Sequence, residues 1–198
     1  MKKFFAVVSA AIISLSFIAT ASATKLPLYD GFVETLHGLI TIKAKYDYNE
    51  RIRTGHYYSF TNDKNHKYYI LHYGETDSEA GKDGKDYYGF RVNNDNTVSY
   101  AYLTISNVNV SDTKERNRRL HNAHLAFNIL CEAMGMSSSD IDGLWSQLAV
   151  YAVQTNYSFN AEPKIFYQRC TSIHRDVEFT FKTINGKSIR LILDVVQP

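Results

Sequence analysis

The feature that most constrains the fold is a change of hydrophobic period along the chain. Segments in which apolar residues alternate at every second position flank one central block in which they recur every three or four positions. The first spacing is typical of strands and the second of helices. This order predicts an α+β domain with a mainly antiparallel sheet, built from N-terminal hairpins and a C-terminal hairpin, and two central helices packed on one face.

Turn-forming residues predict where the strands pair. Thr61–Asn65 and Asn93–Asn96 each separate two strand-like segments, and Asn185-Gly186 is the strongest short hairpin signal in the chain. Within the segment that follows Asn96, alternation predicts one shared face for Val98, Tyr100, Tyr102 and Thr104. We therefore predict strands over residues 39–44, 56–60, 67–73, 87–92, 97–105, 164–170, 177–182 and 189–195.

The central block predicts two helices. Ser111 or Asp112 can cap the first helix, and Gly135 is a natural stop after its apolar stripe. The second helix is expected to begin within Ser137–Asp140. The stripe of the first helix consists of Leu120, Ala123, His124, Phe127, Leu130, Cys131 and Met134.

The N-terminus has the pattern of a secretory signal peptide. Lys2 and Lys3 precede the uncharged apolar stretch Phe4–Ile18, and Ala21-Ser22-Ala23 provides the small residues of a cleavage site. A retained membrane anchor is less favoured, because the apolar run is shorter than the roughly 20 residues that span a bilayer. We predict a signal peptide over residues 1–23 and a single exported domain over residues 24–198, without a membrane anchor, in the periplasm or the extracellular space.

Removal of this segment abolishes the net charge. The chain has 22 Lys and Arg against 20 Asp and Glu. Residues 1–23 contain two lysines and no acid, so the remainder has 22 − 2 = 20 cations against 20 anions. The charge balance therefore gives no indication of a nucleic-acid partner.

Cys131 and Cys170 are the only cysteines. In an oxidising compartment an even pair is most simply a disulfide, here closing a loop of 38 intervening residues. For Cys131, the alternative to a disulfide is a zinc site formed with His121 and His124. However, an isolated HxxH lacks the glutamate of zinc-protease motifs. We predict the disulfide, with no metal and no cofactor.

Tyrosine doublets suggest a binding surface. The chain has 15 tyrosines, and three pairs fall on neighbouring predicted strands. Each pair puts one ring on either side of the sheet, so we expect Tyr58, Tyr69 and Tyr88 to contribute to an exposed face suited to protein recognition. High strand propensity alone is the competing explanation. Arg116 and Arg119, in a cationic first helical turn, are further binding candidates, although such runs are usually solvated.

These observations favour a non-enzymatic protein-binding module, such as a periplasmic inhibitor or immunity protein or a secreted host-interaction factor. No sequence motif specifies a catalytic centre. The alternative is a small, nuclease-like secreted hydrolase with histidine acid–base chemistry, for which His56, His72 and His174 are candidates. A metal-dependent protein is the third possibility, with zinc as above or calcium in the acidic, glycine-containing loop 77–86.

Overall fold

The computed structural model describes residues 26–46, 53–63, 66–74, 85–106, 111–154, 162–184 and 188–196. These residues form the helices α1 (Tyr29–Tyr46), α2 (Thr113–Ala133) and α3 (Ser138–Gln154). Their strands are β1 (Arg53–Asp63), β2 (His66–Gly74), β3 (Tyr87–Val92), β4 (Val98–Ile105), β5 (Lys164–Cys170), β6 (Arg175–Ile184) and β7 (Ser188–Val195). The signal segment 1–23, residues 77–84 of the acidic loop and the Asn185-Gly186 turn lie outside the described residues.

All seven described strands form one sheet in the order β1-β2-β3-β4-β7-β6-β5. Every neighbouring pair is antiparallel. The C-terminal hairpin lies beside β4, so the N-terminal and C-terminal strands share one layer. The predicted α+β class with a mainly antiparallel sheet is thereby confirmed.

One predicted strand is wrong. Residues 39–44 lie inside α1, a helix that the sequence interpretation did not include. The β-branched run of Ile40, Thr41 and Ile42 favours a strand locally. However, Phe32, Leu36 and Ile40 recur every four residues, and all three are buried. Burial of this helical stripe against the sheet outweighs the local propensity.

The helices all pack on the same face of the sheet, which we call the inner face. One row across the sheet consists of Tyr69, Phe90, Ala101, Leu193, Phe179 and Phe166, in register from β2 to β5. Phe32 of α1 contacts Phe90 at 4.9 Å between ring centroids, and Phe127 of α2 contacts Phe179 at 5.2 Å. Tyr151 of α3 contacts Phe166 at 6.1 Å. The inner face and the helices therefore enclose the core.

Local signals place most element ends correctly. Asp112 caps α2 by accepting a hydrogen bond from the Glu115 amide at 2.9 Å, and Gly135 follows the helix with a φ of +86°. A register shift after Arg91 pairs Val92 with Val98 but Arg91 with Tyr100. Val98 therefore lies on the inner face, opposite to Tyr100, Tyr102 and Thr104. The predicted shared face is right for those three residues and wrong for Val98, because alternation does not reveal a β-bulge.

Candidate functional site on the outer face of the sheet

The second face of the sheet, which we call the outer face, has a different composition. Its central row is Ile70, Gly89, Tyr102, Ile192, Thr180 and Ile165, and the next row is Tyr68, Arg91, Tyr100, Asp194, Glu178 and Tyr167. A third row begins with His72, Tyr87, Thr104 and Arg190. No described helix packs on this face, which combines aromatic rings with arginines and carboxylates.

The tyrosine doublets divide between the two faces. Tyr68 and Tyr87 lie on the outer face, whereas Tyr69 and Tyr88 lie on the inner face. Tyr88 is 1% exposed, and its hydroxyl donates a hydrogen bond to the Ala126 carbonyl at 3.0 Å. The expectation that Tyr88 is on an exposed face is therefore wrong, since its ring belongs to the core.

The remaining two tyrosines predicted for binding occupy different positions. Tyr69 is partly buried, and its ring lies 4.9 Å from that of Tyr29 and 5.5 Å from that of Phe90. Tyr58 pairs with Ile70, which gives it a register position on the outer face, and its side chain lies outside the described residues. The doublet members that contribute rings to the described outer face are Tyr68 and Tyr87.

Tyr102 lies across the centre of the outer face, over Gly89. A Cβ atom added to Gly89 would lie 2.0 Å from Tyr102 Cζ, so the ring occupies the space that any other residue would fill. The ring is only 8% exposed, and burial raises the pKa of Tyr102 to about 12 although the nearby Arg190 opposes the shift. Its hydroxyl therefore stays neutral at physiological pH.

Arg190 is fixed on this ring by three contacts. Its Nε donates a hydrogen bond to Thr104 Oγ1 at 2.9 Å, and Nη2 donates one to Tyr87 Oη at 2.9 Å. Its guanidinium carbon lies 4.4 Å from the centroid of the Tyr102 ring, a cation–π distance. The Tyr87 and Tyr102 rings meet edge to face at 6.2 Å. We call Tyr87, Gly89, Tyr102 and Arg190 the Arg190 cluster.

A second arginine makes a similar contact one row away. Arg91 lies over the Tyr100 ring at 5.1 Å, and its Nη2 is 3.8 Å from Asp194 Oδ1. Burial raises the pKa of Asp194, and Arg91 opposes that shift while Glu178 adds to it. The outer face therefore carries both arginines and carboxylates, with Asp194 and Glu178 in the same row as Arg91.

The two arginines predicted for binding in the cationic N-terminal part of α2 differ in their contacts. Arg119 donates a hydrogen bond from Nε to Glu115 Oε1 at 2.9 Å and one from Nη1 to the Ser106 carbonyl at 3.3 Å. Its Nη1 also lies 3.9 Å from Asp86 Oδ2. Arg119 thus ties α2 to the ends of β3 and β4, whereas Arg116 is exposed. The structure does not bring either residue into the Arg190 cluster.

The candidate histidines are dispersed. His72 is buried on the outer face beside Tyr87, on β2, and His174 is exposed in the turn between β5 and β6. These positions are about four strand spacings, or roughly 19 Å, apart across the sheet, and they lie towards opposite ends of its strands, because His72 is in the row of Lys182 whereas His174 precedes Arg175. The side chain of His56 lies outside the described residues.

The proposed zinc ligands do not come together either. His121 and His124 are exposed on α2, whereas Cys131 is buried. The edge of the His124 ring contacts Trp145, with the centroids 4.5 Å apart, so His124 is exposed on one side only. Partial burial and the neighbouring His121 lower the pKa of His124. In the described ranges, no group of three or more His, Cys, Asp or Glu residues has the arrangement of a metal site.

Comparisons with known proteins give no relative from which a function can be transferred. No protein-family model, curated protein or solved structure shows significant similarity to the chain. None of the described helices has the length and apolar character needed to span a membrane. The site must therefore be interpreted from its own geometry.

Proposed function

We propose that this chain is an exported, non-enzymatic protein that binds another protein through the outer face of its sheet, centred on the Arg190 cluster. Export follows from the signal-peptide pattern of residues 1–23. A periplasmic inhibitor or immunity protein and a secreted host-interaction factor are the two forms of this function. The observation that carries the proposal is an ordered tyrosine–arginine cluster on a sheet face that no described helix covers.

The order of the cluster supports a binding role. Arg190 is held by Thr104, Tyr87 and the Tyr102 ring before any partner arrives. Immobilising a flexible side chain on association costs about 0.5–1.5 kcal/mol, and this cost is reduced when the free protein already fixes the side chain. The cluster therefore offers a rigid aromatic surface with hydroxyl and guanidinium groups at its border.

The chemistry of the face favours a protein over a polyanion. Tyrosine and arginine, together with tryptophan, are enriched at the energetic centres of protein interfaces. A nucleic acid requires several cations to neutralise phosphates, whereas here Asp194 and Glu178 lie in the same row as Arg91. A partner surface of apolar side chains with a few hydrogen-bond acceptors and both charge signs matches this pattern best.

Affinity capture with matched arginine variants tests the proposal. The tagged protein is captured from envelope and culture-supernatant fractions of its host, and the identified partner is purified for direct binding measurements. Arg190→Ala removes the cation of the Arg190 cluster, and Arg116→Ala removes an exposed arginine of α2. We expect Arg190→Ala to weaken binding by about 10-fold or more, the usual threshold of an interface hot spot, and Arg116→Ala to leave it unchanged.

Two controls keep the result interpretable. Thermal unfolding of each variant establishes that Arg190→Ala is folded, and Tyr100→Ala provides an independent change on the same face. Loss of binding in the two outer-face variants alone supports the proposal. Full binding by both folded outer-face variants, or loss only with Arg116→Ala, contradicts it. N-terminal sequencing of the exported protein tests the signal separately, with Thr24 as the expected first residue.

A further inference from the structure

The end of α2 packs against the turn between β5 and β6. Gly135, just after the helix, has a positive φ, and a Cβ added there would lie 3.3 Å from Ile173 Cγ2. The Ser137 amide donates a hydrogen bond to Ser172 Oγ at 3.0 Å. Cys131 lies in the last turn of α2, and its carbonyl accepts a hydrogen bond from the Met136 amide at 3.0 Å. The hydrogen bond between Ser137 and Ser172 therefore brings the segment that follows Cys131 next to the segment that follows Cys170.

Asp140, near the start of α3, also binds the β5–β6 turn, so that α2, α3 and this turn meet at one junction. Its carboxylate accepts hydrogen bonds from the Thr171 amide at 3.0 Å and from the Ser172 amide at 3.1 Å, as well as from the Ser172 hydroxyl. Gln168 donates from Nε2 to the Asp140 carbonyl at 2.6 Å, and the same nitrogen is 3.9 Å from Cys170 Sγ. The position of Cys170 is thus fixed on both sides by contacts with the start of α3.

Both thiols are enclosed at this junction. Cys131 and Cys170 are each 0% exposed, and they are unbonded in this structure. Burial raises the pKa of both thiols, to about 12 for Cys170, where Asp140 adds to the shift, and Cys131 is raised further by the charge of an ionised Cys170. The thiolate is the reactive form, so the folded dithiol is protected from oxidants in solution.

We propose that Cys131 and Cys170 are an oxidation site that is closed by folding: they form an intramolecular disulfide when an oxidant reaches them before α2 and the β5–β6 turn dock, and they persist as a dithiol when the chain folds under reducing conditions. Oxidised glutathione exemplifies the disulfide class of oxidant. One cysteine thiolate attacks it, releasing one glutathione and leaving a mixed disulfide. The second cysteine thiolate then attacks the protein sulfur and releases the second glutathione, so two protein thiols are oxidised and one disulfide is reduced.

A refolding experiment tests this site. The purified, reduced protein is incubated with oxidised glutathione either in the folded state or during refolding from denaturant. After alkylation and tryptic digestion, the cross-link joins the peptide Leu120–Lys164 to the peptide Cys170–Arg175. We expect this product during refolding, and at least about 10-fold slower formation from the folded dithiol, because buried thiols must first be exposed by unfolding.

The single variant Cys170→Ser is the matched control. It is expected to retain glutathione on Cys131 after refolding, without the joined peptides. Absence of the intramolecular cross-link after oxidative refolding of the unsubstituted protein would overturn the proposal, as would equally rapid cross-linking of the folded dithiol. The experiment requires neither export nor a binding partner, so its failure is distinguishable from failure of the proposed function.

Discussion

Substitution of Gly89 by alanine tests whether the Tyr102 ring determines the structure of the outer face. The three atoms nearest to the added Cβ all belong to Tyr102, at 2.0 Å for Cζ and 2.4 Å for Cε1 and Oη. Carbon atoms in ordinary contact are about 3.5–4.0 Å apart, so the ring must withdraw by roughly 1.5–2 Å. Because the obstacle is a side-chain ring and not backbone, the ring moves and the strand pairing persists.

The energetic cost follows from the contacts that a displaced ring loses. The cation–π contact with Arg190 is worth about 0.5–2 kcal/mol, and an aromatic pair such as Tyr102 with Tyr87 about 0.5–1.5 kcal/mol. We therefore expect Gly89→Ala to lower the free energy of unfolding by about 2–3 kcal/mol, in agreement with the usual cost of overpacking. In a Tyr102→Ala background the obstacle is gone, and the same change is expected to cost less than about 0.5 kcal/mol.

Urea unfolding of the four proteins of this double-mutant cycle provides the measurement, with circular dichroism as the probe. The expected coupling between the two sites is about 2 kcal/mol, and Gly89→Ala is also expected to weaken partner binding. Tyr102→Phe retains the ring, so Gly89→Ala should remain costly in that background. Additive effects of Gly89→Ala and Tyr102→Ala would refute the reasoning, since they would mean that the glycine is required for a reason other than the ring.

Further predictions concern the junction and the core. Burial opposes ionisation of Asp140, but hydrogen bonds from Ser172 and Thr171 outweigh it and hold its pKa below the usual value. This stabilisation is present above the unfolded-state pKa of about 3.9 and is lost as the pH falls through the lower folded-state pKa. Urea unfolding measured from pH 7 to pH 2 should therefore show that Asp140→Asn is less stable than the unsubstituted protein by about 1–3 kcal/mol at neutral pH, and that this difference shrinks in acid. A difference that does not change with pH would contradict a stabilising role of the ionised carboxylate. Tyr88→Phe should lower the free energy of unfolding by about 1 kcal/mol through loss of the hydrogen bond to Ala126, whereas Tyr167→Phe, at an exposed hydroxyl, should leave it nearly unchanged. Equal effects in chemical denaturation would contradict the burial of the Tyr88 hydroxyl.

Local signals were sufficient for elements whose ends are set by their own residues. The β3–β4 turn closes because Asp95 Oδ1 accepts a hydrogen bond from the Thr97 amide at 3.1 Å and Asn96 adopts a φ of +64°. Both residue types are favoured in turns for those reasons. The α1 helix was missed because its stabilisation comes from Phe90 and other sheet residues, which are distant in the sequence.

The binding face was only partly predictable. In β3, Tyr88 alternates with Phe90 and Val92, and Tyr87 with Gly89 and Arg91, so the pattern itself indicates that Tyr88 is the inner member of its doublet. In β2 the same test is ambiguous, since Ile70 and Leu71 are both apolar and fall on opposite faces. The direction of a doublet therefore depends on the polarity of its neighbours and not on the doublet alone.

The Arg190 cluster has no signature in the sequence. Arg190 is separated from Thr104 by 86 positions and from Tyr87 by 103, and the contacts arise only because the C-terminal hairpin inserts beside β4. If β6 and β7 paired only with each other and β7 did not pair with β4, Arg190 would not contact Tyr87 or Tyr102. The sheet order, which local patterns do not specify, is thus what assembles the candidate site.

The same arrangement explains how an aromatic sheet face can remain stable without a described helix over it. The Tyr102 ring lies over Gly89 and the Arg190 guanidinium lies over the Tyr102 ring, and this guanidinium donates hydrogen bonds to Thr104 and to the Tyr87 hydroxyl. Little apolar area at the centre is then left exposed, which limits nonspecific association. A partner must recognise the shape and the polar groups of this surface. A substitution at Gly89 replaces no exposed side chain, but it displaces the Tyr102 ring beneath Arg190, so it is still expected to weaken recognition.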